Sequence, residues 1–397
     1  MKVGVPAETD PEETRVGVVP PVAADLVDEG FEVCIESGAG ERSDWRDTAY
    51  RDAGCEILED RNAVFEESDV IARVNGLGAA EDDDSHLYRD GQIVVGLLGP
   101  YDLEGELEAL AERGLTAFAL ELMPRISRAQ SMDALSSMSS IGGYKAAIVA
   151  AERLPKMFPL QMTAAGTVQP ADVFVIGAGV AGLQAIATAE RLGASVRAYD
   201  IRLEVREEVQ SLGADFVELD LETEGSGDEE GYAREMDEEF YRQQRKALTR
   251  VVGESDVVIT TAAIPGKPAP ELVTEEMVDG MDRGSVIVDL SAATGGNCEL
   301  TVPDETIHHG GVEIFGPTNL PASVPHHASQ LYANNIRNFL QNAFEGDGQT
   351  LDFDDEIVDS TLLTHDGTVR WTHPAREGEP DGETAEEAGD GEADADD

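Results

Sequence analysis

The stretch from 171 to 200, ADVFVIGAGVAGLQAIATAERLGASVRAYD, limits what this chain can fold into more than any other. Residues 173–176 are an apolar, β-branched run of the kind that makes a strand buried on both faces, and they lead straight into Gly177-Ala178-Gly179-Val180-Ala181-Gly182. Leu183, Ile186, Ala187 and Leu192 then recur at helical spacing, Gly193 supplies a stop, and residues 196–199 open a second strand ending at Asp200. The pattern predicts one βαβ unit carrying a dinucleotide fingerprint. In such a unit the first glycine, Gly177, allows a tight turn; the second, Gly179, lets the backbone approach a pyrophosphate; the third, Gly182, lets helix and strand touch. The amides at Val180 and Ala181 then face phosphate with the positive end of the helix dipole behind them. Asp200 lies eighteen residues after Gly182, where a carboxylate accepts from the adenosine ribose hydroxyls and repels a 2′-phosphate, which favours NAD(H). Ile201 and Arg202 follow as further ribose-side candidates, and Arg202 weakens the preference because arginine accommodates that phosphate.

At 397 residues the chain has room for two or three domains, each with its own core. It has no run of about twenty uncharged apolar residues, so direct membrane insertion is not expected. Its N-terminus reads as a strand and not as a leader, which points to a cytoplasmic protein. Cys34, Cys55 and Cys298 stand in no metal or redox spacing and read as core thiols. The pairs His308-His309 and His326-His327 read as loop or surface residues, since neighbours on a helix or strand point apart, and no metal site is expected. The net charge of −53, from 28 basic and 81 acidic residues spread along the whole chain, excludes nucleic acid as a ligand and reads as a halophilic surface screened by salt.

Along the first third of the chain, strand-like runs at 3–5, 31–36, 70–74, 93–98 and 116–119 alternate with helix-like runs at 21–29, 47–53 and 104–113. That alternation predicts a parallel sheet with helices on its faces. The cluster ELMPRISRAQSMD (121–133) and the serines after it break the alternation at a domain joint, with a helix expected over about 143–154 and a loop at MTAAGTV. Strands at 216–217, 257–260, 286–290 and 312–315 complete a second sheet around the fingerprint, interrupted by a long polar insertion at 223–245. A long helix from about Ser329 returns to the first domain. The fold class is therefore α/β: two Rossmann-like domains with parallel sheets and a cleft between them. The expected division is 1–135 plus 328–373, then 136–327, then an acidic, disordered tail at 374–397.

ELMPRISRAQSMD, GTVQPADVFVIGAGVAGLQAIATAERLGA, GYAREM, TTAAIPGKPAP and SVIVDLSAATGGNCE together resemble the NAD(H)-binding first domain of proton-translocating NAD(P) transhydrogenase, as a separate alpha-subunit chain, over roughly residues 1–370. The resemblance implies an enzyme of the Re/Si-specific type, active only with partners. NAD(H) is held here and NADP(H) on a beta subunit, and a membrane-spanning subunit couples hydride transfer to proton movement. It further implies a homodimer held peripherally on the inner face of the cell membrane. Arg125, Gln130 and Asp133 match the loop that orients the nicotinamide, with Ser136 and Tyr144 beside it, and Tyr232 matches a mobile loop that closes over nucleotide. The loop carrying Ala263, Ile264 and Gly266 borders the adenosine by resemblance, and Asp289 and Asn297 stand at another strand end, where cofactor contacts gather. Hydride transfer between two cofactors needs no general acid or base, only two rings held face to face.

Alanine dehydrogenase and saccharopine dehydrogenase share this fold, and a catalytically silent NAD-binding protein is a further alternative. Oxidising an amino acid calls for a cation for its carboxylate and a titratable group for a proton. By resemblance, alanine dehydrogenases place a lysine after the strand at 70–74 and a histidine after the strand at 93–98. Here Asn75 and Gly99-Pro100 stand near those places, and no lysine occurs between Lys2 and Lys145. Arg15, which matches a substrate-binding arginine of that family, remains.

Overall fold

A computed structural model describes residues 1–76, 84–103, 106–219, 238–344 and 350–373. Two sheets carry the fold. The first joins β1 (Lys2–Val5), β2 (Glu32–Glu36), β3 (Glu56–Leu58), β4 (Val70–Asn75), β5 (Ile93–Leu97) and β6 (Thr116–Ala119) in the order 6-5-4-1-2-3, all parallel. An exposed antiparallel hairpin, β7 (Gln161–Thr163) and β8 (Gly166–Val168), stands apart from both sheets. The second sheet is built from β9 (Asp172–Ile176), β10 (Ser195–Tyr199), β11 (Asp215–Phe216), β12 (Val257–Thr260), β13 (Val286–Asp289), β14 (Thr306–His309) and β15 (Val312–Phe315), in the order 11-10-9-12-13-15-14. Only β14 runs antiparallel in it. The chain then returns to the first sheet, where β16 (Leu362–His365) pairs antiparallel with β6 and β17 (Thr368–Val369) with β16.

The central strands are near-continuous apolar runs because helices cover both faces of each sheet: β9, β12 and β13 are buried along almost their whole length. In each sheet the parallel strands end on the side where the connecting loops meet the other domain, which is where open α/β sheets take ligands.

The joint between the domains is one helix, Ala134–Arg153, and it begins nine residues earlier than the sequence suggests. Its N-cap explains the difference. The Asp133 carboxylate accepts from the Ser136 backbone N–H at 2.8 Å and from the Ser136 hydroxyl at 2.5 Å, so a serine-rich run that would otherwise favour turns starts a helix instead. Met138 and Ile141 on its first half belong to the core of the first domain, while Ala146, Ala147 and Ala150 on its second half belong to that of the second. Low amphipathicity follows from facing two cores in succession.

The return helix Pro325–Ala343 places Tyr332, Ile336, Phe339 and Leu340 in the first core, whereas Leu331, an apolar residue of the same run, is exposed. The MTAAGTV segment, expected as a loop, is the β7–β8 hairpin. His308 and His309 lie on the edge strand β14, where His309 Nε2 is 2.9 Å from the Asp279 carboxylate. Of the polar insertion, residues 238–245 begin the helix Glu238–Gly253. Tyr232 and the acidic tail lie outside the described residues. Among the described residues no helix is long and apolar enough to cross a membrane.

Candidate functional site

The fingerprint turn is built as its glycines require. Gly177 follows β9 at φ +97°, and a Cβ there would lie 2.5 Å from Thr261 Oγ1, so both conformation and contact call for glycine. A Cβ on Gly182 would lie 1.8 Å from the Gly177 carbonyl oxygen, which is the close helix–strand contact expected of the third glycine. Gly179 differs from both: nothing lies within 4 Å of where its Cβ would be. It is the N-cap of the helix Val180–Arg191, so the open space lies at the positive end of a twelve-residue helix. From the other side the joint helix comes so close that a Cβ on Gly143 would lie 2.0 Å from the Ala181 carbonyl oxygen.

Asp200 directly follows β10 and is buried. Its Oδ2 accepts from the Ala178 N–H at 2.7 Å, tying the second strand to the glycine turn. Arg202 supplies the remaining donors: its backbone N–H and Nε reach Oδ1 at 2.8 and 2.9 Å, and its Nη2 reaches Oδ2 at 2.8 Å. The carboxylate beside it holds the Arg202 guanidinium more firmly charged than usual. Each carboxylate oxygen thus carries two donors.

These groups open on a cleft of about 450 Å³ between the domains. From the first domain and the joint come Arg125 and Ser136, with Tyr101, Glu121, Leu135 and Ser139. From the second come Gly177, Gly179, Val180, Ala181, Asp200, Ile201 and Arg202, and, across the floor, Ala263, Ile264 and Gly266. The cleft therefore brings together twelve of the site residues expected from sequence. Gly182 lies behind the wall, against Gly177.

Gln130 and Tyr144 are exposed and stand outside the lining, on the short helical segment Ser127–Met132 and on the joint helix. The side chains of Asn335 and Asn338 on the return helix both donate to the Ser131 carbonyl at 3.0 Å, holding that segment from behind. Asp133 also stands outside the lining, and its carboxylate holds Ser136, which is part of it.

Asp289 and Asn297 are wholly buried behind the floor and hold up the loop. Asn297 Oδ1 accepts from the Ala262 N–H at 3.0 Å, and its Nδ2 donates to the carbonyls of Ala262 and Pro270, both at 2.8 Å. Asp289 in turn accepts from the backbone N–H of Ser291, Asn297 and Cys298 and from the Thr301 hydroxyl. The two residues fix the backbone from which Ala263, Ile264 and Gly266 face the cleft.

Sequence reasoning does not single out Tyr101, Tyr241, Gln244 or Leu272, and it marks Glu121 only as the start of a polar cluster. The Glu121 carboxylate accepts from the N–H groups of Leu98 (3.1 Å) and Gly99 (2.7 Å), and burial nevertheless pushes its acid up to about 7. The Tyr101 ring presses on the second domain so closely that a Cβ on Gly266 would lie 2.7 Å from it. No spacing rule marks these residues, because they come from separate elements: the turn after β5, the segment after β6, the helix Glu238–Gly253 and the stretch that follows β12.

Comparison with known proteins agrees with this geometry. Residues 4–142 match the family model "Alanine dehydrogenase/PNT, N-terminal domain", and residues 146–372 match "Alanine dehydrogenase/PNT, C-terminal domain". The chain belongs to the alanine dehydrogenase/PNT family. Within it, the chain is 46% identical over 384 residues to an NAD(P) transhydrogenase subunit alpha chain of Rhodospirillum rubrum, covering 96% of this chain and 100% of that one. The solved transhydrogenase structure from Sinorhizobium meliloti superposes with a TM-score of 0.83 at 42% identity, over 93% of this chain and 100% of that one. Alanine dehydrogenase of Mycobacterium tuberculosis is more distant, at 29% identity over 93% of this chain and 94% of that protein. The chain thus falls on the transhydrogenase alpha-subunit branch of the alanine dehydrogenase/PNT family.

Proposed function

We propose that this chain is the NAD(H)-holding subunit of a proton-translocating NAD(P) transhydrogenase. NADH bound in the cleft supplies a hydride, and NADP⁺ on a partner beta subunit receives it. The observation that carries the reading is the glycine turn opening, at the free space beside Gly179, onto a cleft that Arg125 and Ser136 share from the other domain. The N–H groups at the start of the helix Val180–Arg191 fit a pyrophosphate, and Asp200 fits the adenosine ribose once Arg202 swings aside. Arg125 and Ser136 stand on the cleft wall where they orient the nicotinamide end, and Asp133 positions Ser136. Gln130 and Tyr144, exposed nearby, face the route by which a second nucleotide approaches. The protein's task is to bind, orient and exclude water, since hydride transfer needs no proton from the chain.

The amino-acid oxidoreductase reading requires a cation and a titratable group beyond β4 and β5. Asn75 and the Gly99-Pro100 turn occupy those strand ends. With a membrane-spanning partner, the chain is a cytoplasmic, peripheral subunit. We assign its homodimer contact to the β7–β8 hairpin, an unsupported arm on which Met162 is 75% exposed and Leu160 and Val168 are also exposed.

Fluorescence titrations with NADH and NADPH in molar KCl test the nucleotide assignment: NADH binds more tightly, and equal affinities contradict it. Adding L-alanine and NAD⁺ to the chain alone yields no NADH; steady NADH production contradicts the assignment in favour of an amino-acid dehydrogenase.

A further inference from the structure

The first domain's wall of the cleft holds a carboxylate that the dinucleotide reading leaves without a part, Glu121. It stands in the short helical turn Leu120–Leu122 after β6 and accepts from the Leu98 and Gly99 N–H groups just beyond β5. Burial is the largest influence on it and raises its acid to about 7, against the opposing pull of those backbone amides. Among the described residues no basic side chain forms an ion pair with it. Amides hold a carboxylate in place but bring no net positive charge, so this one gains from a cation that enters the cleft.

Two anchors decide which end of a dinucleotide comes near. The pyrophosphate belongs at the N-terminus of the helix Val180–Arg191 and the adenosine ribose at Asp200, both on the second domain. The nicotinamide half is then the part that crosses to the first domain's wall, where Tyr101, Glu121, Arg125, Ser136 and Ser139 stand. Its two redox forms differ by one charge: the oxidised ring is a cation and the dihydro ring is neutral. A charged carboxylate on that wall attracts the first and is indifferent to the second.

We propose that Glu121 sets which redox form of the nicotinamide the cleft prefers: its charged carboxylate strengthens binding of NAD⁺ and leaves NADH little changed, so NAD⁺ binding is coupled to release of the Glu121 proton. The proposal rests on the assignment of the cleft to NAD(H). The groups around Glu121 do not supply this behaviour themselves. Tyr332 on the return helix faces it, and burial pushes that phenol well up, so it stays neutral. Glu8 and Arg15 act on Tyr332 in turn, and neither lines the cleft. On the same wall Tyr101 is a phenol and Arg125 a guanidinium, and across the cleft Asp200 is paired with Arg202. His373, whose ring centre lies 5.9 Å from that of Tyr101, carries the side chain best suited to switch near neutral pH and needs its own control.

The test measures Kd for NAD⁺ and for NADH on the full chain in molar KCl. From about pH 6 to about pH 8, NAD⁺ tightens about fivefold in the wild type while NADH moves less than about twofold. Glu121→Gln removes the NAD⁺ trend, and His373→Gln keeps it. Proton release, read with a pH indicator in weak buffer, needs no variant and keeps the proposal testable if Glu121→Gln fails to fold. At about pH 6.5, about half a proton leaves per NAD⁺ bound and none per NADH. A merely structural Glu121, holding the Gly99 turn, would change both affinities together and leave their ratio independent of pH. A ratio flat with pH in the wild type, no proton release, a trend that survives Glu121→Gln, or one lost in His373→Gln overturns the proposal while leaving the NAD(H) assignment standing. Failure of the wild type to bind either nucleotide overturns the assignment itself.

Discussion

At the scale of single residues, the site separates side chains that face the cleft from those that hold the backbone behind it. Asn297 belongs to the second group. Asn297→Leu leaves the Ala262 N–H and the Pro270 carbonyl without partners and takes one of two donors from the Ala262 carbonyl, which keeps the Ser291 hydroxyl, at an expected cost of about 3 kcal/mol in urea unfolding. It also weakens NADH binding, because the floor loop loses its clamp. Glu121 gives a pH signature. Its acid is raised from 4.5 to about 7 in the folded chain, so between those values the folded state holds a proton that the unfolded state releases. Its contribution to stability is full at and below pH 4.5 and is lost as the pH rises to about 7. Glu121→Gln flattens that slope, an effect on the order of 3 kcal/mol across the window, readable from urea midpoints at several pH values. The sequence made Asp200 and the glycines legible because their spacing is set by a ligand. Asp289 and Asn297 were legible as strand-end polar residues but not in their role. A carboxylate or amide at a strand end serves equally well facing a ligand or capping a loop, and only the fold decides.

At the scale of elements, the glycines of the turn and of the joint helix separate a backbone role from a ligand role. Gly182→Ala and Gly143→Ala drive a methyl group to within 2.0 Å or less of a carbonyl oxygen, so the first forces the helix off the glycine turn, the second forces two helices apart, and each destabilises the chain by about 3 kcal/mol or more. Gly179→Ala meets open space. It leaves the thermal midpoint within a few degrees of wild type but weakens NADH at least about tenfold, because the methyl group occupies the approach to the helix N-terminus. Comparing the three variants by melting and by titration checks this assignment. The strands around the fingerprint were legible because burial on both faces writes itself as apolar runs. The joint helix was legible only in its second half, from about 143, because its alanines and serines serve two cores in succession and no single face repeats along its whole length. The β7–β8 hairpin escaped for the opposite reason: it buries nothing here, so no alternation marks it.

At the scale of the whole molecule, charge and assembly set the behaviour. With a net charge of −53, self-repulsion opposes the compact state, and added salt screens it. The unfolding midpoint is expected to rise from low to molar KCl; a midpoint independent of salt contradicts a halophilic surface. Met162→Asp on the hairpin arm shifts the protein from dimer to monomer by light scattering if that arm carries the contact. The central claim is that the cleft presents a nicotinamide to a second nucleotide on another protein. The most direct measurement mixes this chain with a purified NADP(H)-binding transhydrogenase subunit, NADPH and an NAD⁺ analogue whose reduced form absorbs at its own wavelength. Reduction of the analogue that requires both proteins, and that Arg125→Ala slows without unfolding the chain, is the result expected. No transfer with both proteins folded and both nucleotides bound would contradict the account.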